Sequence, residues 1–286
     1  MPQMNTYRTT QSLVTMIRRV QTARGRQRTG LFSVEGTRLV ERAIRAGAQL
    51  EAVLVAESLA MSEESRHRDL LETLVDTGCR TVITRDELLI ELTKGRDLGL
   101  ILGLVRMPSP ISLADLLRQD YAEDATAARQ LSAPRPALLL AAVDIVDPGN
   151  VGALTRTAHA GGARALLAVG ASDPFHPRAT RISRGSIFKL PVISYADPAS
   201  FIRDLRAHEV VMAGTAAGGG ISLPRVSWPR RPTAILMGNE AEGLPAEVAA
   251  VLDFAVTIPM PEGVDSYSVN AAAAIVLYAA AQSPAN

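Results

Sequence analysis

The chain predicts two α/β domains, a small sandwich followed by an open parallel sheet with helices on both faces. Three observations predict this. Strand-length apolar runs alternate with helix-period segments, first over about ninety residues and again from residue 137 onward. The run A-L-L-L-A-A-V-D at 137–144 is continuously apolar, as a strand covered on both faces must be. Between the two stretches, P-S-P, an Ala-rich polar segment and A-P-R-P interrupt the periodicity. The boundaries follow as 1–107, a linker at 108–136, and 137–286; a chain of 286 residues is long for one domain.

In the first stretch, residues 12–28 read as an arginine-rich helix and Leu31–Gly36 as a short strand and turn. Leu39, Val40, Ala43 and Ile44 have helical spacing, stopped by Gly47. L-E-A-V-L-V is a strand, 68–77 a helix ending at Gly78, R-T-V-I-T a strand, D-E-L-L-I-E-L-T a helix capped by Asp86, and L-G-L-I-L-G-L-V a closing strand. A short helix at 113–119 lies in the linker. In the second stretch, helices near 151–161, 178–186 and 198–207 alternate with A-L-L-A-V, P-V-I-S and V-V-M-A-G-T. A-I-L-M-G, A-V-T-I-P and an Ala-rich helix complete it.

Composition narrows the function. Apolar residues are 47% of the chain, enough for a packed core. No uncharged apolar run reaches the roughly eighteen residues of a membrane span, and M-P-Q-M-N-T-Y-R-T-T has no signal-peptide core. The single cysteine, Cys79, excludes an internal disulfide framework and a cysteine zinc cage. No metal site and a cytoplasmic location are the expectation. Net charge is only +1, yet residues 1–34 hold six arginines and no acid. Arg178, Arg181, Arg184 and Lys189 form a second basic cluster. Two such clusters in a neutral chain point to phosphate binding. Arginine offers a planar fork to phosphate.

Sites for a nucleotide-like ligand on such a sheet lie at the carboxyl ends of the strands. Three strand ends lead into suitable loops: Gly214–Gly220, Met237–Glu240 and Ile258–Met260. The first strand leads into D-I-V-D-P-G-N rather than G-x-G-x-x-G, which disfavours a dinucleotide-binding Rossmann domain. Asn150, six residues before Arg156, has the chemistry of a helix cap, and Arg156 that of a surface helix residue. Glu240 alone reads as a cap or a surface ion-pair partner, and His159 and His176 lack any partner spacing and read as structural.

Three segments recur in order: D-P-G-N-V-G-A-L-T-R-T-A (147–158), L-M-G-N-E-A-E-G-L (236–244) and I-P-M-P-E-G-V-D-S-Y-S-V-N (258–270). Together they resemble the three motifs of the SpoU (TrmH-type) family of RNA ribose 2′-O-methyltransferases, and the N-terminal third resembles that family's RNA-binding extension. The resemblance implies a knotted (trefoil) parallel-sheet methyltransferase domain preceded by a small α/β RNA-binding domain. It implies S-adenosyl-L-methionine as cofactor, held mostly by backbone near Thr215, Leu236, Gly238, Asn239, Ile258, Met260, Tyr267, Ser268 and Val269. It assigns the catalytic centre to Arg156, Asn150, Glu240, Ser266 and Asn270. A guanidinium is a poor general base, so Arg156 is expected to orient ribose and phosphate and stabilise a developing alkoxide, with Glu240 fixing Arg156 or Asn150.

The third motif departs from the family pattern of serine, apolar residue, asparagine. A gap-free alignment, which is favoured, pairs Ser266 and Tyr267 with the first two and puts Ser268 at the asparagine; the alternative pairs Ser268 and Asn270 with an insertion. Asn270 can also simply cap the last helix. Arg24, Arg26, Arg28, Arg38, Arg178, Arg181 and Arg184 are the expected RNA contacts, with Ser183 beside them. The resemblance favours structured ribosomal RNA, 23S-type, over tRNA, and a homodimer through the C-terminal domain; some relatives with this layout confer resistance to ribosome-targeting antibiotics. A tRNA ribose methyltransferase and a non-catalytic RNA-binding or ribosome-assembly factor are the alternatives.

Overall fold

A computed structural model describes residues 10–96, 100–118 and 136–282. Arg8, residue 97 with the first two residues (98 and 99) of the closing strand expected at 98–105, and 119–135 of the expected linker lie outside the described residues. Packing divides the chain into two compact units, Met1–Ser109 with Phe175–Phe188, and Pro110–Pro174 with Lys189–Asn286.

The first unit holds β1 (Leu31–Glu35), β2 (Leu50–Ala56), β3 (Arg80–Thr84) and β4 (Ile101–Arg106) in the order β1-β4-β2-β3. β4 runs antiparallel to both β1 and β2, and β3 runs parallel to β2. The single arginine-rich helix expected at 12–28 is two helices, α1 (Thr10–Val20) and α2 (Ala23–Thr29). The break has a local cause. Thr22 caps α2 by accepting from the Gly25 N–H at 3.0 Å, and a Cβ at Gly25 would lie 1.8 Å from the Arg19 carbonyl oxygen. Leu13, Val14, Ile17 and Val20 bury one face of α1, the i, i+3, i+4 stripe expected of an amphipathic helix.

α3 (Thr37–Arg45) ends before Gly47, whose φ of 69° lies in the left-handed region that favours glycine. A short α4 (Glu57–Ala60), not signalled by the sequence pattern, precedes α5 (Ser65–Asp76). α6 (Asp86–Leu92) does not use Asp86 as its cap. Asp86 is its first residue, and its Oδ1 accepts from the Ser58 N–H at 3.1 Å. Cys79 is buried; desolvation first, and Glu51 second, push its thiol up to about 11, so it stays protonated and unreactive near neutral pH.

In the second unit, α7 (Leu113–Arg118) lies in the segment expected as linker, yet Leu113 and Leu116 are 1% and 0% exposed within that unit's core. The sheet strands are β5 (Leu138–Val143), β6 (Ala165–Val169), β7 (Val192–Tyr195), β8 (Val211–Thr215), β9 (Ile221–Ser222), β10 (Thr233–Met237) and β11 (Phe254–Thr257). Their order is β7-β6-β5-β10-β8-β11-β9 and every pairing is parallel. Leu139, Ala141, Leu167, Met212 and Leu236 are buried in its core, as continuous apolar strands require. α8 (Pro148–Ala160) follows β5, α9 (Pro177–Ile182) follows β6, α10 (Pro198–Ala207) follows β7, α11 (Ala246–Ala249) precedes β11, and α12 (Val269–Gln282) closes the chain. The adjacent parallel strands β10, β8 and β11 bring the ends at Met237, Thr215 and Thr257 to one edge of the sheet.

The segment Phe175–Phe188 interrupts the second unit in sequence and packs on β1 in the first. The helix expected at 178–186 stops at Ile182, because Arg184 and Gly185 take φ values of 52° and 89°; a 3-10 turn follows at Ser186–Phe188. Phe32 meets Phe175 and Phe188 at ring distances of 5.2 and 6.2 Å. The Thr180 hydroxyl donates to the Ser33 carbonyl at 3.4 Å.

Candidate active site

The first and second motifs meet through one side-chain pair. Asp147, not Asn150, caps α8, accepting from the Asn150 N–H at 3.0 Å. The Asn150 side chain is thereby left to turn toward the second motif, where its Nδ2 donates to Glu240 Oε1. The carboxylate expected to fix Arg156 or Asn150 therefore fixes Asn150. Arg156 sits two turns along the same helix, exposed, and its guanidinium makes no hydrogen bond or ion pair among the described residues. A cationic fork held on a rigid helix and not spent on a neighbour is able to take an anionic ligand.

The third motif reaches the same helix. The Thr157 hydroxyl, next to Arg156, donates to Asn270 Oδ1 at 2.5 Å, and α12 packs along α8. Asn270 does not cap α12. Ser268 does, with its Oγ accepting from Ala271 N–H at 3.4 Å and its carbonyl from Ala272 N–H at 2.9 Å. Ser266 and Tyr267 lie in the exposed stretch before that helix, Tyr267 at 43% exposure, while Val269 is buried as the first residue of α12. Thr157 was not anticipated; its position beside Arg156 in the first motif was the available signal.

The expected cofactor loops lie at adjacent strand ends, and their geometry is dominated by backbone. Leu236 is fully buried and its carbonyl accepts from the Thr215 hydroxyl at 3.0 Å, tying β10 to β8. A Cβ on Gly238 would fall 2.2 Å from the Gly243 carbonyl carbon, so only glycine lets the G-N-E-A-E-G loop close on itself. Ile258 and Met260 are half-buried beyond β11. Asn239, expected at the cofactor through its backbone, spends its side chain on the loop. Its Nδ2 donates to the Asp144 carbonyl at 3.2 Å and its Oδ1 accepts from Ala241 N–H at 2.9 Å, so its side chain shapes the loop.

The expected RNA contacts all fall in the first unit, but not all face water. Arg24, Arg28, Arg38, Arg178 and Arg184 are exposed. Arg26 is 2% exposed and its Nη1 donates to the Val20 carbonyl at 2.8 Å, which corrects its expected role. The helical period explains the error: Arg24 and Arg28, four apart, share a face, and Arg26 between them points the other way. Arg181 is committed to the fully buried Glu35 carboxylate at 2.9 Å, and Arg96 reaches the same group at 3.0 Å. Ser183 is buried and donates to the Thr180 carbonyl at 2.7 Å, so it too is structural. His176 caps α9, accepting from Arg178 N–H at 3.1 Å. Arg42, not anticipated, donates to the Arg184 carbonyl at 2.5 Å. Among the described residues no group of acids, histidines and cysteines could hold a metal ion, and no helix is long and apolar enough to cross a membrane.

The sequence model of the SpoU rRNA Methylase family matches residues 137–278, and that of the MRM3-like substrate binding domain matches residues 12–94. The chain is 27% identical over 263 residues to the 23S rRNA (guanosine(2553)-2′-O)-methyltransferase RlmP of Bacillus subtilis (strain 168), covering 91% of this chain and 92% of that one. It is 29% identical over 262 residues to a 23S rRNA (uridine(2479)-2′-O)-methyltransferase of Streptomyces viridochromogenes, covering 89% and 84%. Among solved structures it is similar to the SpoU methyltransferase AviRb from Streptomyces viridochromogenes in complex with AdoMet, with a TM-score of 0.78, 25% identity, and coverage of 96% and 97%. The chain belongs to the SpoU rRNA Methylase family, with its methylase domain at residues 137–278 behind an MRM3-like substrate binding domain at residues 12–94.

Proposed function

We propose that this chain is an enzyme that methylates a ribose 2′-oxygen of structured RNA, namely 23S-type ribosomal RNA, with S-adenosylmethionine as methyl donor. The observation that carries the reading is the convergence of Asn150 and Glu240, ninety residues apart, beside the helix that bears Arg156. The named activities of the Bacillus and Streptomyces relatives support the ribosomal substrate over tRNA. The residues present fit the cofactor. A shelf of backbone groups at Thr215, Leu236, Gly238 and Ile258, with Gly238 lacking room for any side chain, suits a flat adenosyl group. When bound, S-adenosylmethionine supplies an electrophilic sulfonium methyl.

The remaining chemistry falls to positioning. Arg156 orients the target ribose and its phosphate and offsets the charge that develops on the 2′-oxygen. Glu240 holds Asn150, and Asn270, through Thr157, holds the Arg156 turn of α8. Ser266 and Tyr267 line the approach, and Ser268 and Val269 set the start of α12. Arg24, Arg28, Arg38, Arg178 and Arg184 grip RNA phosphates. The C-terminal segment is threaded as the family's trefoil knot, and the second unit forms a homodimer, for which the exposed Val146 and Tyr278, at 67% and 68%, supply apolar surface. The enzyme works in the cytoplasm, where ribosomal RNA is assembled. Residues 1–107 form the substrate-recognition domain and 137–286 the methyltransferase domain.

Mapping of ribose methylation across total RNA, with and without the gene, tests this reading. One 23S ribose should lose its methyl group in the deletion strain and regain it when purified protein and S-adenosylmethionine are added. A change confined to tRNA would replace the substrate, and no change in any RNA would favour the non-catalytic assembly factor.

A further inference from the structure

Glu240 meets Asn150 only if the second-motif loop is held still, and the polar links behind that loop converge on a residue outside all three motifs. Asp144 follows β5 with a φ of 52°, a left-handed conformation that few side chains other than Asn and Asp adopt readily. Its N–H still belongs to the sheet, donating to the Val169 carbonyl at 3.1 Å. Beyond that bond the ladder stops, and both remaining polar groups of Asp144 are used across the strand ends.

Its side chain faces β6. Asp144 Oδ1 accepts from Ala171 N–H at 3.0 Å, and Ile145 N–H donates in return to the buried Ser172 hydroxyl at 3.0 Å. A Cβ on Gly170 would stand 1.9 Å from Asp144 Oδ1, so glycine is needed for this approach as well as for its φ of 62°. The Asp144 carbonyl faces β10 and accepts from Asn239 Nδ2 at 3.2 Å. Asn239 in turn exchanges backbone hydrogen bonds of 2.9 and 2.8 Å with Gly243 and accepts from Ala241 N–H, which closes the loop carrying Glu240.

We propose that Asp144 is a positioning residue: its left-handed turn, pinned by Ala171, aims a carbonyl at Asn239 and so holds Glu240 against Asn150. The proposal rests on the methyltransferase reading for its consequence in turnover, and on geometry alone for its consequence in loop order. What is required of Asp144 is a hydrogen-bond acceptor and a tolerance of positive φ, not a negative charge. Asparagine has both. Alanine has neither.

The test uses the full chain and three variants. Asp144→Ala should lower turnover about tenfold, the about 1.4 kcal/mol that one hydrogen bond is worth, while RNA KM and S-adenosylmethionine affinity stay within about twofold. Asp144→Asn should restore turnover to within about threefold of wild type. Amide hydrogen exchange, measured without cofactor or RNA, should accelerate about tenfold across 239–244 in Asp144→Ala and not in β5 or β6. Should the alanine variant fail to fold, Asp144→Gly, which accepts positive φ without supplying the acceptor, takes its place with the same expectations. Wild-type turnover in the alanine or glycine variant overturns the proposal, as does an asparagine variant as impaired as the alanine one, which would assign the carboxylate to chemistry. If the wild-type chain methylates no RNA while the exchange pattern holds, the methyltransferase reading fails and the positioning of the loop stands; an unchanged exchange pattern overturns the positioning.

Discussion

The two units treat their charged groups in opposite ways. In the first, arginine side chains divide between a buried scaffold and an exposed surface: Arg26 reaches back to the last carbonyl of α1, Arg96 and Arg181 close on Glu35, and Arg24, Arg28 and Arg38 face water. In the second, the candidate site is mostly backbone at the ends of β8, β10 and β11, and a few short polar links fix where that backbone lies. Recognition of a long polyanion needs many cations of similar reach. Transfer of one methyl group needs a few atoms held to fractions of an ångström. The difference teaches that a side chain's identity predicts little in the first unit until its exposure is known, whereas in the second its loop geometry predicts much.

The sharpest way to break this comparison is to remove the centre of the buried scaffold. Glu35 has no exposed side-chain surface and faces two guanidinium groups, each about a quarter to a third exposed. Glu35→Ala leaves both cations without their carboxylate, which should cost about 3 kcal/mol in chemical denaturation, the lower end for a buried pair because the arginines reach solvent. Replacing Glu35 and Arg181 together by leucine and methionine should recover part of that loss. A single variant as stable as wild type would mean that the Phe175–Phe188 segment is held without this ion pair, by its aromatic contacts and the Thr180 and Arg184 hydrogen bonds.

The counterpart in the second unit is Arg156, whose loss should leave stability untouched and remove chemistry. Arg156→Ala should lower turnover at least about a hundredfold, or about 2.7 kcal/mol of transition-state stabilisation, with S-adenosylmethionine affinity within about threefold of wild type. Arg156→Lys should recover only a fraction, since an ammonium lacks the planar fork. Single-turnover assays with separate calorimetry of cofactor binding distinguish these outcomes, and near-normal turnover in Arg156→Ala would remove the proposed catalytic centre.

Much of the second unit was legible in the sequence because its signals are local. Continuous apolar runs gave β5, β6, β8 and β10, and Pro198–Ala207 matches the helix expected there. Short elements such as β9 and α11 escaped, since two to four residues carry no period. Within the candidate site, the sequence named residues that the structure pairs, Asn150 with Glu240, but not the partners they choose. Asn150 as a helix cap and Asn270 as a helix cap were both reasonable from composition, and both roles are taken by neighbours, Asp147 and Ser268, which frees the asparagines for contacts 90 and 113 residues away. The first unit was harder for the same reason: that Arg26 is interior and Arg181 is spent on an ion pair depends on the break at Thr22 and on the Glu35 carboxylate, neither visible in charge counting.

A smaller effect should expose the link between the first and third motifs. Asn270→Ala and Thr157→Val each delete the same hydrogen bond, and each should lower turnover by about fivefold, about 1 kcal/mol. Because they delete one interaction, the double variant should be no slower than either alone, a coupling that distant, independent sites do not show. Additive losses would mean that Asn270 acts on something other than Thr157, and would reopen the register in which Ser268 and Asn270 fill the third motif.

The two kinds of arginine within the first unit separate by a change in salt slope against a change in stability. Arg24 and Arg28 lie on the exposed face of α2, and Arg26 lies inside it, 2% exposed and donating to Val20. Replacing Arg24 and Arg28 by alanine should leave the melting temperature unchanged and flatten the dependence of log K on log salt by roughly 1.4 to 1.8 for the pair, since each lost phosphate contact removes about 0.7 to 0.9. Arg26→Ala should do the reverse, destabilising the fold by on the order of 1 to 3 kcal/mol, because the Val20 carbonyl loses a charged donor and the site loses its packing. The salt slope of the folded fraction should not move. Binding of a cognate RNA fragment measured at several salt concentrations, beside thermal melts of the same proteins, decides between these outcomes. A flattened slope in Arg26→Ala with an unchanged melt would return Arg26 to the RNA surface. An unchanged slope in the Arg24 and Arg28 variant would make that face of α2 merely solvated, and would shift the burden of RNA binding to Arg38, Arg178 and Arg184.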